Sequence, residues 1–222
     1  MSNEDRLEQA RLLYERAVFG GDASAVTAAD RELDAVEADL ALARGRIVHA
    51  RFLDHRTGEP QAQGDVVDEL ALFERAADRY RTLGDQRGEA EALFWIGTFH
   101  QVVQHDNDVA VPVLERSREL ATSAGDLMTT SYVLRHLGIA EHSAGHLAAA
   151  RDLLEQSTHI RRKLGFLPGV AANLVGLAYI AAGDGRPADA VTLLDEAAST
   201  ANDSGATGIG RQVAEARTQL SS

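Results

Sequence analysis

Between residues 87 and 104 the apolar side chains Leu93, Ile96 and Val103 fall on one face of a helix. The polar run Asp106-Asn107-Asp108 then breaks the pattern and supplies a capping group for the next helix. That second helix, predicted near 109–123, places Val113, Leu114 and Leu120 on its apolar face and ends at Gly125, which is suited to a left-handed C-cap. The same two-helix phrase returns at 127–143 and 147–163 around Gly145. It returns again at 168–182 and 187–201 around Gly183-Asp184-Gly185, with Pro168 well placed at a helix start. Residues 207–220 read as one more amphipathic helix through Ile209, Val213, Ala216 and Leu220. Upstream the pattern predicts helices near 4–18, 23–36 and 38–53, the last carrying Leu40, Ile47 and Phe52. Neither glycine nor proline separates the second from the third, so around Glu37–Asp39 two helices and one long helix stay open. Residues 54–65 are polar and predicted as a loop about twice the usual length, either a tolerated insertion or a lid.

These phrases are an internal repeat. Phe73-Glu-Arg-Ala76, Leu114-Glu-Arg-Ser117, Leu154-Glu-Gln-Ser157 and Leu194-Asp-Glu-Ala197 recur at intervals of 41, 40 and 40. Ala110, Ala150 and Ala190 stand four residues before the last three, and Gly84, Gly125, Gly165 and Gly205 stand eight residues after each tetrad ends. A second glycine series, Gly97, Gly138 and Gly176, lies in the first helix of each pair, and Gly45 has the same place one unit earlier. Small residues at these sites predict close helix approach, with Leu114, Leu154 and Leu194 filling the space between.

Composition narrows the function. Of 222 residues, 38 are alanine and 11 aromatic, which favours close-packed helices over sheets. The formal charge of −12 opposes nucleic acid and anionic membranes. Half of it lies in residues 1–40, where ten acids face four bases. Cysteine is absent, so disulfides and thiolate chemistry are excluded, and Lys163 is the one lysine. With no signal-like start and no apolar run of about 18 residues, a cytoplasmic setting is expected.

Leu137-Gly138, Ala150, Leu154 and Ser157 resemble the tetratricopeptide repeat, which has Leu-Gly in its first helix and small, bulky and small residues in its second. The longer period is similar to the extended variant in the superhelical domain of maltose-regulator-type bacterial activators, although neither their phosphate loop nor their basic recognition helix occurs here. The resemblance implies an all-α, right-handed α-solenoid of about eleven helices. It divides the chain into irregular N-terminal helices and loop (1–65), repeats (66–206) and a C-terminal capping helix (207–222).

It also implies a concave groove lined by the first helices, at positions six and three residues before each helix glycine and one, four and five after it. Those positions include Arg46 and His49, then Glu91, Phe94 and Gln101, then Tyr132, Arg135 and His142, and finally Asn173 among the apolar Val170, Leu177 and Ile180. Aromatic, arginine and amide side chains together are the types enriched where partners dock. Arg135 or Arg46 would suit a carboxylate. The expected function is therefore a non-catalytic interaction module holding a peptide or protein segment. The alternative is a small-molecule sensor or enzyme using the same groove, closed by 54–65.

No cofactor, metal or catalytic residue is assigned. His142 and His146 have the four-residue spacing of a metal pair, but Gly145 interrupts it. His100 takes the place of a core tyrosine, and Trp95 reads as core. Self-association is expected, if anywhere, through the apolar end around Leu177 and Ile180.

Overall fold

A computed structural model describes residues 1–55 and 63–220. The described residues form ten helices and no strand. They are α1 (Asn3–Gly20), α2 (Ser24–His55), α3 (Gln63–Leu83), α4 (Gln86–Val102), α5 (Asn107–Ser123), α6 (Leu127–Ser143), α7 (Leu147–Lys163), α8 (Leu167–Gly183), α9 (Pro187–Asp203) and α10 (Thr207–Leu220). The count falls one short of eleven because 24–55 is a single helix of 32 residues. Nothing between Glu37 and Asp39 breaks it, and Ala38 there is fully buried. The expected lid over 54–65 lies largely outside the described residues; 54–55 end α2 and 63–65 begin α3.

The chain divides into two compact units, Met1–Ala124 and Gly125–Ser222. In the first, consecutive helices pack in pairs around Phe73, Ala76, Ala77 and Tyr80 of α3, Ala38, Ala41 and Leu42 of α2, and Ala92 and Ile96 of α4. In the second, Leu154 of α7, Leu174 and Ala178 of α8, Ala190 and Leu194 of α9, and Val213 and Ala216 of α10 share one core.

The repeat signals translate directly into this packing. Asp106 caps α5 by accepting from the Val109 amide, and Asp85 and Asp126 cap α4 and α6 in the same way. Gly125 and Gly165 follow their helices with φ of 66° and 68°, the left-handed conformation that glycine adopts at least cost. A Cβ on Gly97 would fall 2.6 Å from Leu114 Cγ, and one on Gly138 would fall 2.2 Å from Leu154 Cδ1.

Gly176 behaves differently, meeting Leu154 of the preceding helix and not Leu194. Gly97 and Gly138 are each the twelfth residue of their helix, a place taken in α8 by Ala178, which is fully buried. Gly176 stands two residues, about 200°, away from that place and so faces the opposite neighbour.

Candidate functional site

In the second unit, three- and four-residue spacing puts Tyr132, Arg135, Ile139 and His142 on one face of α6, all partly exposed. Arg135 reaches across to α8, where its Nη1 donates to the carbonyl of Ala172 at 2.9 Å and to Asn173 Oδ1 at 3.1 Å. Asn173 is fully buried, so the structure places it in the interior and not on an open groove. Val170, Leu177 and Ile180 are buried with it, which removes the apolar end expected to mediate self-association. Both corrections share one cause, because positions counted from Gly176 fall two residues out of step. In addition, α10 packs on α8.

A residue that groove counting does not reach completes this cluster. Arg161, near the end of α7, is 1% exposed. Its Nη1 donates to Asn173 Oδ1 and to the Gly169 carbonyl, both at 2.9 Å, and its guanidinium lies 4.8 Å from the Tyr132 ring centre and 5.6 Å from that of Phe166. Asn173 in turn donates to Ser157 Oγ at 2.8 Å, and Ser157 donates to the Ser131 carbonyl at 2.6 Å. Two guanidinium groups thus meet on one carboxamide oxygen, and among the described residues neither is paired with a carboxylate. Burial lowers both pKa values to about 10, and for Arg161 the charge of Arg135 adds to the effect. Arg161 Nη2 is buried without a hydrogen-bond partner.

The signal for Arg161 is present in the repeat. The buried face of α7 runs Ala150, Leu154, Ser157, Arg161, and the same register elsewhere holds Ala121 and Ala201. A charged residue standing where two of the other repeats have buried alanine marks a position doing something other than packing.

In the first unit, Arg46 of α2 pairs with Glu91 of α4 and lies 5.8 Å from the Trp95 ring centre. His49 is 5% exposed and its Nδ1 is 2.8 Å from Oε1 of the fully buried Glu69. Trp95 is half-buried and stacks on Phe73, while Phe94 packs edge-on against it. Phe94 and Gln101 are buried, and Gln101 Nε2 donates to Asn107 Oδ1 at 3.0 Å. Glu69 and Tyr80 occupy the repeat positions of Ala110 and Ala121, so here too departures from alanine are the buried polar groups. Tyr80 Oη donates to Asp39 at 2.6 Å, and burial together with that carboxylate pushes its phenol above the ordinary range.

The histidines considered for metal are dispersed. His146 Nδ1 lies 2.7 Å from Glu141 Oε2, and His100, half-exposed where a buried residue was expected, contacts Gln104 at 2.7 Å. Among the described residues no group of three potential metal ligands converges.

Residues 88–163 match the tetratricopeptide repeat family. That stretch covers α4 through α7, the part in which helix glycines and alanines keep register. Among solved structures, tetratricopeptide-like repeats of a Podosopora anserina protein described as a kinesin light chain superpose with a TM-score of 0.53 at 18% identity. They cover 81% of this chain and 96% of that one. A single-substitution variant of that same protein gives a TM-score of 0.54 at 18% identity, with 81% and 93% covered. No curated protein sequence matches. The tetratricopeptide stretch and these neighbours establish an all-helical repeat fold. Among the described residues no helix is long and apolar enough to cross a membrane.

Proposed function

We propose that this protein is a non-catalytic, cytoplasmic module that binds a segment of a partner protein, and that Arg135 receives an anionic group of that segment. The observation that carries this reading is the pair of guanidinium groups on Asn173, which have no carboxylate partner among the described residues. Buried charge is costly unless compensated, so an incoming carboxylate gains more at such a place than at an exposed arginine. Arg135 is partly exposed, and the ring of Tyr132 beside it offers the flat apolar contact that interfaces favour. Arg46 is less suited, because Glu91 already neutralises it. The acidic chain disfavours nucleic acid as the partner, and the period near 40 residues keeps its similarity to the maltose-regulator type of repeat.

The test is affinity purification of the tagged protein from its host, followed by mass spectrometry, with wild type beside Arg135→Ala, Tyr132→Ala and Arg46→Ala. Loss of the partner set from the first two variants alone supports the assignment. Recovery of one unchanged partner set by all four proteins overturns it.

A further inference from the structure

Among the described residues, the long helix α2 leaves one face without a partner. Its residues Ala25 and Ala29 are buried on the side where Glu32 pairs with Arg6 of α1, and Ala38, Ala41 and Leu42 are buried in the core with Phe73 of α3. Between these two contacts run Val26, Leu33, Leu40 and Ile47, which are 52%, 44%, 49% and 57% exposed. Steps of seven residues drift by only about 20° each, so the four form a nearly straight apolar line along the helix. That line spans 21 residues, about 32 Å at 1.5 Å per residue.

Beside it runs a second line with the same step: Asp30, Glu37, Arg44 and Arg51. Two acids come first and two bases come after them. A two-fold axis crossing α2 near Leu40 exchanges Asp30 with Arg51, Glu37 with Arg44, and Leu33 with Ile47. An antiparallel second copy therefore sets both acids of this line against bases of the other copy, with leucine on leucine at the centre. In a parallel copy the two charged lines would fall on opposite sides of the seam, so the match is specific to the antiparallel pair. The basic half also borders a shallow groove of about 630 Å³ between α2 and α3, where Arg44, Arg51 and Arg75 outnumber the single acid Asp68 beside Ile47, so that the acidic half of the partner helix meets net positive charge. Arg79 of α3 holds Glu37 Oε2 at 2.9 Å, so within this line Asp30 set against Arg51 carries the match, and a new pair at Glu37 is not needed for it.

We propose that α2 is a homodimer interface, in which two copies of this chain cross antiparallel through Leu33, Leu40 and Ile47 with self-complementary charge. Such an interface is isologous, each patch meeting itself, as a closed two-fold pair requires.

Sedimentation velocity of the full chain across a wide concentration range tests it, with far-ultraviolet circular dichroism to confirm that each variant folds. Wild type is expected at twice the monomer mass of 23.8 kDa, and Leu40→Glu at the monomer mass. The double variants Arg44→Glu/Arg51→Glu and Asp30→Arg/Glu37→Arg each self-associate at least about tenfold more weakly than wild type, and an equimolar mixture of the two recovers a heterodimer. A monomeric wild type overturns the proposal, as does a Leu40→Glu protein that still dimerises. A mixture no more associated than its components overturns the antiparallel arrangement. None of these variants touches Arg135, so the outcome is independent of the partner-binding site.

Discussion

Arg135 and Arg161 donate to the same oxygen of Asn173, at 3.1 and 2.9 Å, and so hold two positive groups together in the second unit with no negative one beside them among the described residues. The carboxamide satisfies part of their hydrogen-bonding capacity and none of their charge. Placing a carboxylate there, as Asn173→Asp, converts both contacts to ion pairs in a buried setting, while Ser157 gives up its bond to the Ser131 carbonyl and donates to the new acceptor. We expect the melting temperature to rise, by the equivalent of about 1–3 kcal/mol, and binding at Arg135 to fall. Calorimetric melting of the two proteins, with partner capture alongside, measures both effects.

The helix glycines separate by environment. Gly138→Ala drives a methyl group into Leu154, 2.2 Å from its Cδ1, with the Ala150 carbonyl at 3.2 Å closing the other side. A loss of about 1–3 kcal/mol is expected. Gly210 lies inside α10 with nothing within 4 Å of its added Cβ, so Gly210→Ala should gain about 0.5–1 kcal/mol. Urea denaturation of both variants checks the opposite signs.

His49 and Glu69 form a buried pair in which Glu69 Oε2 has no further partner. Removing the histidine alone, as His49→Leu, strands a buried carboxylate and should cost about 3–5 kcal/mol. Replacing both residues by leucine should cost less than that single change. A double-mutant cycle in thermal melts gives the coupling directly.

Tyr80 makes alkaline stability diagnostic. Its folded pKa lies above the unfolded value of 10.0, because burial and then the hydrogen bond to Asp39 disfavour the phenolate. The folded state therefore keeps the proton after the unfolded state releases it, so the stabilisation is complete below pH 10 and declines as pH rises beyond it. Tyr80→Phe should be less stable at neutral pH by about 1 kcal/mol and should flatten the alkaline decline. Stability measured from pH 8 upward, with absorbance titration of the tyrosines, tests this.

The helices were legible because capping residues and glycines act locally. The bounds 127–143 and 147–163 read from the sequence are the observed bounds of α6 and α7, each delimited by a left-handed glycine and a following turn. The candidate site was legible only on α6, where Gly138 keeps its place as twelfth residue and Tyr132, Arg135 and His142 are partly exposed. On α8 a displaced glycine carried the count inward, so Asn173 has a groove position by spacing but proves buried. Arg161 was written into the repeat as a break in alanine register, a sign that burial is polar there without showing what it meets.

By itself, the sequence determined the helical periodicity, the close approach of paired helices and the repeat, because these depend on residues within one or two turns of one another. Only the tertiary structure decided which polar groups share a buried site and which apolar stripe is left bare. The convergence of Arg135, Arg161 and Asn173 joins three helices, and the exposure of Val26, Leu33, Leu40 and Ile47 depends on where α1 and α3 pack. Neither is set by spacing along one helix, since periodicity fixes which side chains share a face but not what that face meets.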